Sequence, residues 1–213
     1  MFKETLVRGA NGILAALGRS DILRDAYLAG GTAAALQLGH RVSVDFDFFT
    51  AKEFNPKVFS ANLSKLGSFT DYQVDKGTVL GTFKGVKFSL FNYKYPLIFP
   101  SLNYLALRIA DIRDIAAMKI DAIASRGAKR DFVDLYFICE AGYVLSDILK
   151  FYHKKYGAAA SATGIHIQKS LVFFNDAEPD KMPKMLKEAE WEEIKRYFER
   201  EVKKLARFPL VRE

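Results

Sequence analysis

Asp45 and Asp47, one residue apart in Val42-Ser43-Val44-Asp45-Phe46-Asp47-Phe48-Phe49, are the residues of this chain best spaced to do chemistry. The stretch alternates and is β-branched and aromatic, so it reads as a strand. Alternation puts both carboxylates on one face, with Val44, Phe46 and Phe48 on the other. Two adjacent carboxylates repel unless something neutralises them. A divalent cation does so, since Mg²⁺ (or Mn²⁺) takes one or two carboxylates and completes its shell with substrate phosphates and water.

A complementary element comes just before. Leu28-Ala29 leads into the turn Gly30-Gly31-Thr32, then into the run Ala33-Ala34-Ala35-Leu36-Gln37-Leu38, a good helix former that Gly39 stops as a C-cap would. Glycines let backbone approach a ligand closely, and the N–H groups of a helix start favour a phosphate. A phosphate cradle followed by a two-carboxylate strand is a layout for metal-assisted nucleotidyl transfer. His40 and Arg41 lie between the two parts. They read either as a helix C-terminal pair satisfying carbonyls and dipole or as phosphate or substrate contacts.

The order Gly30-Gly31-Thr32, short helix, Asp45-Phe46-Asp47 resembles the signature of the polymerase-β-like nucleotidyltransferase superfamily. The fuller string through Leu36-Gln37-Leu38-Gly39-His40-Arg41 is similar to its AbiEii/AbiGii branch, the nucleotidyltransferase-like toxins of bacterial abortive-infection toxin–antitoxin pairs. A second block fits the same branch: Lys119-Ile120-Asp121-Ala122-Ile123, then Arg126, then Lys129-Arg130-Asp131-Phe132-Val133-Asp134-Leu135-Tyr136. The resemblance implies that Lys119 contacts nucleotide phosphate and Asp131 completes the active site. It further implies an NTP donor, an RNA acceptor such as the tRNA 3′ end, and an antitoxin protein as partner. The superfamily places a third carboxylate on the strand beside the aspartate pair. The natural positions here, Lys87 and Ser89, are not acidic, and Asp71 and Asp75 come earlier in the chain.

Each candidate also has a plainer reading. Asp45 and Asp47 could be exposed acids on an edge strand. Lys119 could snorkel from the edge of an apolar stripe, and Asp131 could be an ordinary first-turn acid. Asp134 could hold Arg126 or Arg130, while Arg126 and Lys129 read as solvated basic residues able to touch RNA.

The elements around these residues follow from periodicity. Residues 2–27 predict one or two amphipathic helices, with Ser20 or Asp21 capping a second, and Tyr27-Leu28-Ala29 predicts the first core strand. A helix is expected over 52–66 and a glycine-punctuated β-meander over 72–95, ended by Pro96 and Pro100. Helices are expected over 109–124, from Asp131 to near Gly142, over 144–156 with Ser146 as cap, over 163–174, and over 184–207. The fold class expected is α/β (α+β): a small mixed sheet of nucleotidyltransferase type with flanking helices and a helical C-terminal region. The boundary falls near Pro100, giving a core at 1–100 and a helical region at 101–213 that completes the active site.

Bulk properties agree. Of 213 residues 50% are hydrophobic and 27% charged, ordinary for a globular protein. The net charge of +7 suits a polyanionic partner without requiring one. The single cysteine, Cys139, forms no intramolecular disulfide and reads as a core residue. No signal peptide or membrane-spanning run is visible, so the expected location is the cytoplasm and no membrane partner is expected. Two other functions stay open on these residues. One is a catalytically weak nucleotide-binding module, given the missing third carboxylate. The other is nucleotidyl transfer to a protein or small-molecule hydroxyl.

Overall fold

Burial alternates along the strand Asp45–Thr50: Phe46 and Phe48 are buried, Asp45 and Asp47 half-exposed. Each buried Phe contributes about 1.5–3 kcal/mol. A one-residue slip would bury the two aspartates in their place, so the register is strongly specified. The computed structural model describes residues 1–157 and 164–207, and the chain divides into two units, Met1–Asp111 and Ile112–Glu213.

The first unit opens with a 3₁₀ turn, Lys3–Thr5, and helix α1, Ala10–Arg19. Of the one or two helices expected over 2–27, a single α-helix forms, with none after Ser20. The Ser20 hydroxyl donates to Leu17 O (2.6 Å), closing α1, and Asp21 reverses the chain at φ +59°. Strand β1 (Tyr27–Ala29), helix α2 (Gly30–Leu38) and strand β2 (Asp45–Thr50) follow. Gly39 is left-handed (φ +67°) with its N–H donating to Ala35 O, the glycine C-cap the sequence predicts.

Helix α3 runs Pro56–Leu66, capped by Asn55, whose side chain accepts from the N–H groups of Lys57 and Val58. The meander is β3 (Phe69–Asp75), β4 (Thr78–Phe83) and β5 (Val86–Asn92). Lys84 and Gly85 both have positive φ, as a tight hairpin turn requires.

Pro96 and Pro100 do not end the sheet. Strands β6 (Leu102–Tyr104) and β7 (Leu107–Ile109) continue it, in the order β3-β4-β5-β2-β1-β7-β6. Leu107 and Ile109 are buried, β7 runs parallel to β1, and Ala110 N donates to Leu28 O (2.9 Å). The prolines fall between strands, where no ladder N–H is needed. The division into two units falls between Asp111 and Ile112. One face of the β2–β5–β4–β3 half packs on α3, with Phe59 stacked on Phe88 at 6.1 Å and Phe48 beside Phe88 at 5.5 Å.

The second unit is helical: α4 (Ile112–Arg126), α5 (Lys129–Glu140), α6 (Leu145–Tyr156), α7 (Gly164–Ser170) and α8 (Trp191–Arg207). Helix α4 packs on α5, α6 and α7, and a buried pair, Lys155 Nζ to Asp114 Oδ1 at 2.8 Å, ties α6 to α4. Phe132 is ringed by Phe174 (5.3 Å), Phe198 (5.6 Å) and Trp191 (5.8 Å).

Three expected helices here are shorter than their periodicity suggests. The one expected from 109 begins at Ile112, because Ile109 belongs to β7. The one expected over 163–174 spans Gly164–Ser170, its first residue lying outside the described part. The one expected from 184 starts at Trp191, whose indole donates to Glu178 Oε2 (3.2 Å), with Glu192 and Glu193 placed to favour a helix start. Ser146 is not a cap: Val144 holds that position without a side-chain bond.

Cys139 is buried as expected. Burial pushes its thiol up to about 12, only partly offset by a hydrogen bond from Tyr197. Since the thiolate is the reactive form, iodoacetamide at pH 8 is expected to leave Cys139 unmodified in the folded protein and to label it fully in denaturant. Rapid labelling of the native protein, followed by mass spectrometry, would contradict this.

Candidate active site

The two-carboxylate strand and the glycine turn meet within the first unit. Side chains at paired positions of neighbouring strands share a face. Asp45 pairs with Lys87 on β5 and Asp47 with Ser89, while on the other side Asp47 pairs with Ala29, the residue before Gly30.

Gly30 has φ +63°, and a Cβ built there would lie 2.7 Å from Asp47 Oδ2. A Cβ on Gly31 would strike the Arg41 guanidinium and would lie 3.4 Å from Ser43 Oγ. Both positions are glycine because a carboxylate and a guanidinium rest against the start of α2. Ala29, at the N-cap position, makes no side-chain cap bond, and the first N–H groups of any helix lack intrahelical carbonyl partners.

Around them the supports are local. Thr32 Oγ1 donates to the Asp45 carbonyl, and Ser43 Oγ donates to Asp45 Oδ1 at 3.2 Å. Arg41 is only 5% exposed and donates from Nη1 to Val42 O (3.1 Å). His40 is fully buried. A guanidinium and a carboxylate thus both lie against one helix N-terminus, whose N–H groups favour negative charge.

A carboxylate pair on one half-exposed face suits Mg²⁺, which needs only one or two protein carboxylates. Among the described residues no group of three or more His, Cys, Asp or Glu side chains is placed to hold a metal. The register also settles the third position: Lys87 and Ser89 stand beside the aspartates on β5, and neither is a carboxylate. Asp71 and Asp75 lie on β3, and Asp71 accepts from Ser60 Oγ of α3 (3.0 Å).

Gly30→Ala is expected to destabilise the protein by about 1–3 kcal/mol, through positive φ and the Asp47 contact together. Transfer activity should fall with it, because the Asp47 carboxylate must move. Unfolding by urea beside a transfer assay checks this. Wild-type values in both would show that the close approach is not required.

The second unit gathers the other predicted residues into a buried charge cluster. Lys119 on α4 is 4% exposed, and its Nζ lies 2.8 Å from Asp131 Oδ1 and 2.5 Å from Asp134 Oδ2, both on α5. Arg126 Nε donates to Asp131 Oδ2 (2.8 Å) and Nη2 to Asp131 Oδ1 (3.0 Å). Burial by itself would raise the Asp131 pKa. The Lys119 charge and the Arg126 bond outweigh it and hold the carboxyl below the usual range.

Lys129 is not solvated. It is buried, its Nζ donates to the Asp180 (2.6 Å) and Glu178 (3.3 Å) carbonyls, and it stands 4.9 Å over the Trp191 ring. The reason is the fold around it, which brings the 178–180 turn over the start of α5. Arg130 is exposed.

Ser43 is the site residue that motif reading passed over. Its signal was present: two residues before Asp45, it sits where an extended chain turns its side chain to the aspartate side.

Comparison with known proteins follows the same lines. A profile described as the nucleotidyl transferase AbiEii toxin of type IV toxin–antitoxin systems matches residues 87–211, beginning after the glycine and aspartate motif. An uncharacterized protein of Aquifex aeolicus (strain VF5) is 41% identical over 187 residues, covering 85% of this chain and 88% of that protein.

Two solved structures share the fold. A putative nucleotidyltransferase from Helicobacter pylori has a TM-score of 0.53 at 18% identity, covering 95% of this chain and 97% of its own. MenT4, a nucleotidyltransferase toxin from Mycobacterium tuberculosis H37Rv, has a TM-score of 0.52 at 13% identity, covering 92% and 85%. With the profile spanning more than half of its length, the chain belongs to the AbiEii nucleotidyl transferase toxin family and is a nucleotidyltransferase.

Proposed function

We propose that this nucleotidyltransferase moves an NMP from an NTP to an RNA acceptor, the tRNA 3′ end being the first candidate, as the toxin of a toxin–antitoxin pair in the cytoplasm. The observation that carries the reading is the close packing at α2: Gly30 admits the Asp47 carboxylate and Gly31 the Arg41 guanidinium at one helix start.

In this reading the backbone N–H groups of Gly30, Gly31 and Thr32 hold the triphosphate, with Arg41 adding positive charge and His40 as a further nucleotide contact. Asp45 and Asp47 hold Mg²⁺ (or Mn²⁺), and Thr32 and Ser43 fix Asp45. When bound, the metal polarises the α-phosphate and neutralises charge on the departing pyrophosphate. The acceptor hydroxyl oxygen bonds to the α-phosphorus, the bond to the bridging oxygen of pyrophosphate breaks, and the hydroxyl proton is released to water. Lys119 and Asp131 take the parts the family resemblance implies: positive charge for nucleotide phosphate, and a carboxylate that orients the acceptor hydroxyl. What supports this is that Lys119 and Asp131 are brought together at 2.8 Å and that Lys119 and Arg126 hold the Asp131 carboxyl below the usual range. Arg126, Lys129, Arg130 and Asp134 are support residues, and Arg126 and Arg130 are exposed enough to reach RNA.

A test incubates the protein with each α-³²P NTP, Mg²⁺ and total tRNA, beside Asp47→Ala. Label entering RNA, and lost in the variant, supports the reading and names the donor base. Label on protein alone moves the acceptor to a protein hydroxyl. A second reading, a nucleotide-binding module with little catalysis, is favoured by Lys87 and Ser89 at the third position. Mg-NTP binding without any label transfer would mark it.

A further inference from the structure

We propose that the sheet face on the β5–β4–β3 side of Asp45 is the track of the acceptor, shaped for a single-stranded RNA end. The inference rests on the transfer reading above and extends it to the acceptor's path.

The aspartates stand on β2 between unlike neighbours. On one side β1 leads through Ala29, the partner of Asp47, into the start of α2, where Arg41 lies against Gly31. On the other side one continuous row crosses the sheet. Lys87 of β5 pairs with Asp45, Thr82 of β4 pairs with Lys87, and the hydroxyl of Tyr72 on β3 meets that of Thr82. Displacement at phosphorus puts the attacking and leaving oxygens in line, on opposite sides. A triphosphate held at the β1–α2 side therefore requires its acceptor to arrive from the β5 side.

The row has the composition of a nucleic-acid track. Lys87 is exposed and in no ion pair among the described residues, so its ammonium can meet a phosphodiester. Tyr72 is 66% exposed, yet its hydroxyl is held at Thr82, which presents the ring as a stacking surface. The two stand two strand spacings apart, roughly 10 Å. A phosphate-pairing cation and a base-stacking ring on one line suit a strand in which phosphates and bases both recur. An acidic peptide would use the lysine and leave the ring idle.

The test compares wild type with Tyr72→Ala, Lys87→Ala and, on the opposite face of the sheet, Lys57→Ala. It reads KM for tRNA and for NTP separately, and the anisotropy of a fluorescein-labelled single-stranded RNA over a salt series. Tyr72→Ala should raise the RNA KM roughly tenfold with the NTP KM unchanged. Lys87→Ala should weaken RNA binding and reduce the salt slope by about one. Lys57→Ala should match wild type in both. RNA labelled by wild type, with unchanged RNA KM and salt slope in both track variants, would overturn the track and leave the transfer reading standing. If wild type labels protein and not RNA, the transfer reading fails in its acceptor. The anisotropy series then decides the track alone, and equal RNA affinity in all four proteins overturns it.

Discussion

Asp47→Asn is expected to lower NMP transfer by about 10³-fold while leaving the fold intact. Asp47 is half-exposed on the sheet face, with its carboxylate against the hydrogen-only position of Gly30. Removing its charge also relieves repulsion with Asp45, so the melting temperature should hold or rise slightly. Asn keeps the shape and loses the anionic oxygen, so metal and donor binding fall rather than packing. Asp45→Asn should be at least as damaging, because the Ser43 and Thr32 contacts hold that residue in place for the same work. Initial rates with an α-labelled NTP, beside a thermal melt, decide it. A loss smaller than tenfold at unchanged Tm would remove Asp47 from the reaction.

Lys119→Met is expected to destabilise the protein by about 3–5 kcal/mol, the usual result of removing one partner from a buried ion pair. For a chain of this size that is a fall in Tm on the order of 10 °C. The reason is geometric: Asp131 and Asp134 are both fully buried and both turn a carboxylate to the same ammonium, so its loss leaves Asp131 relying on Arg126 and strips Asp134 of its 2.5 Å ion pair. The exposed pair Lys150–Asp147 makes a useful contrast, since it lies in solvent and Lys150→Met should change Tm little.

Asp131→Asn adds a pH signature. The folded Asp131 carboxyl ionises below its ordinary value of 3.8, so its contribution to stability is complete above that pH. It is lost as pH falls through the lower folded-state value. The stability gap between wild type and Asp131→Asn should therefore narrow as urea melts are taken from about pH 6 to about pH 3. A gap that stays constant would mean that Asp131 is not held ionised by the cluster. Activity measured in Lys119→Arg, which keeps the charge, separates the structural role of Lys119 from contact with phosphate. Recovery of Tm without recovery of NMP transfer would assign it both.

Much of the first unit was legible from the chain because its signals are local. Gly30-Gly31 before an alanine-rich run, Gly39 as a left-handed cap, and period-two alternation through Asp45-Phe46-Asp47 depend on a few neighbouring residues. They fix backbone conformation and the face of each side chain before any long-range contact exists. The position beside the aspartate pair came instead from the family resemblance, and the observed parallel register of β2 and β5 brings Lys87 and Ser89 abreast of Asp45 and Asp47.

What local pattern could not supply was which segments meet across distance. Pro96 and Pro100 read as the end of the sheet, yet burial of Leu107 and Ile109 against β1 outweighs that punctuation and carries the sheet on to β6 and β7. The charge at Lys129 read as solvated until the 178–180 turn folded over it. Lys119, Asp131 and Asp134 were separate candidates in the chain, and only the packing of α4 on α5 makes them one buried cluster. The types and alternation of its residues thus determined the chemistry this protein can hold. Tertiary packing decided which charges are buried and paired, because the cost of burying a charge depends on partners that lie far away in sequence.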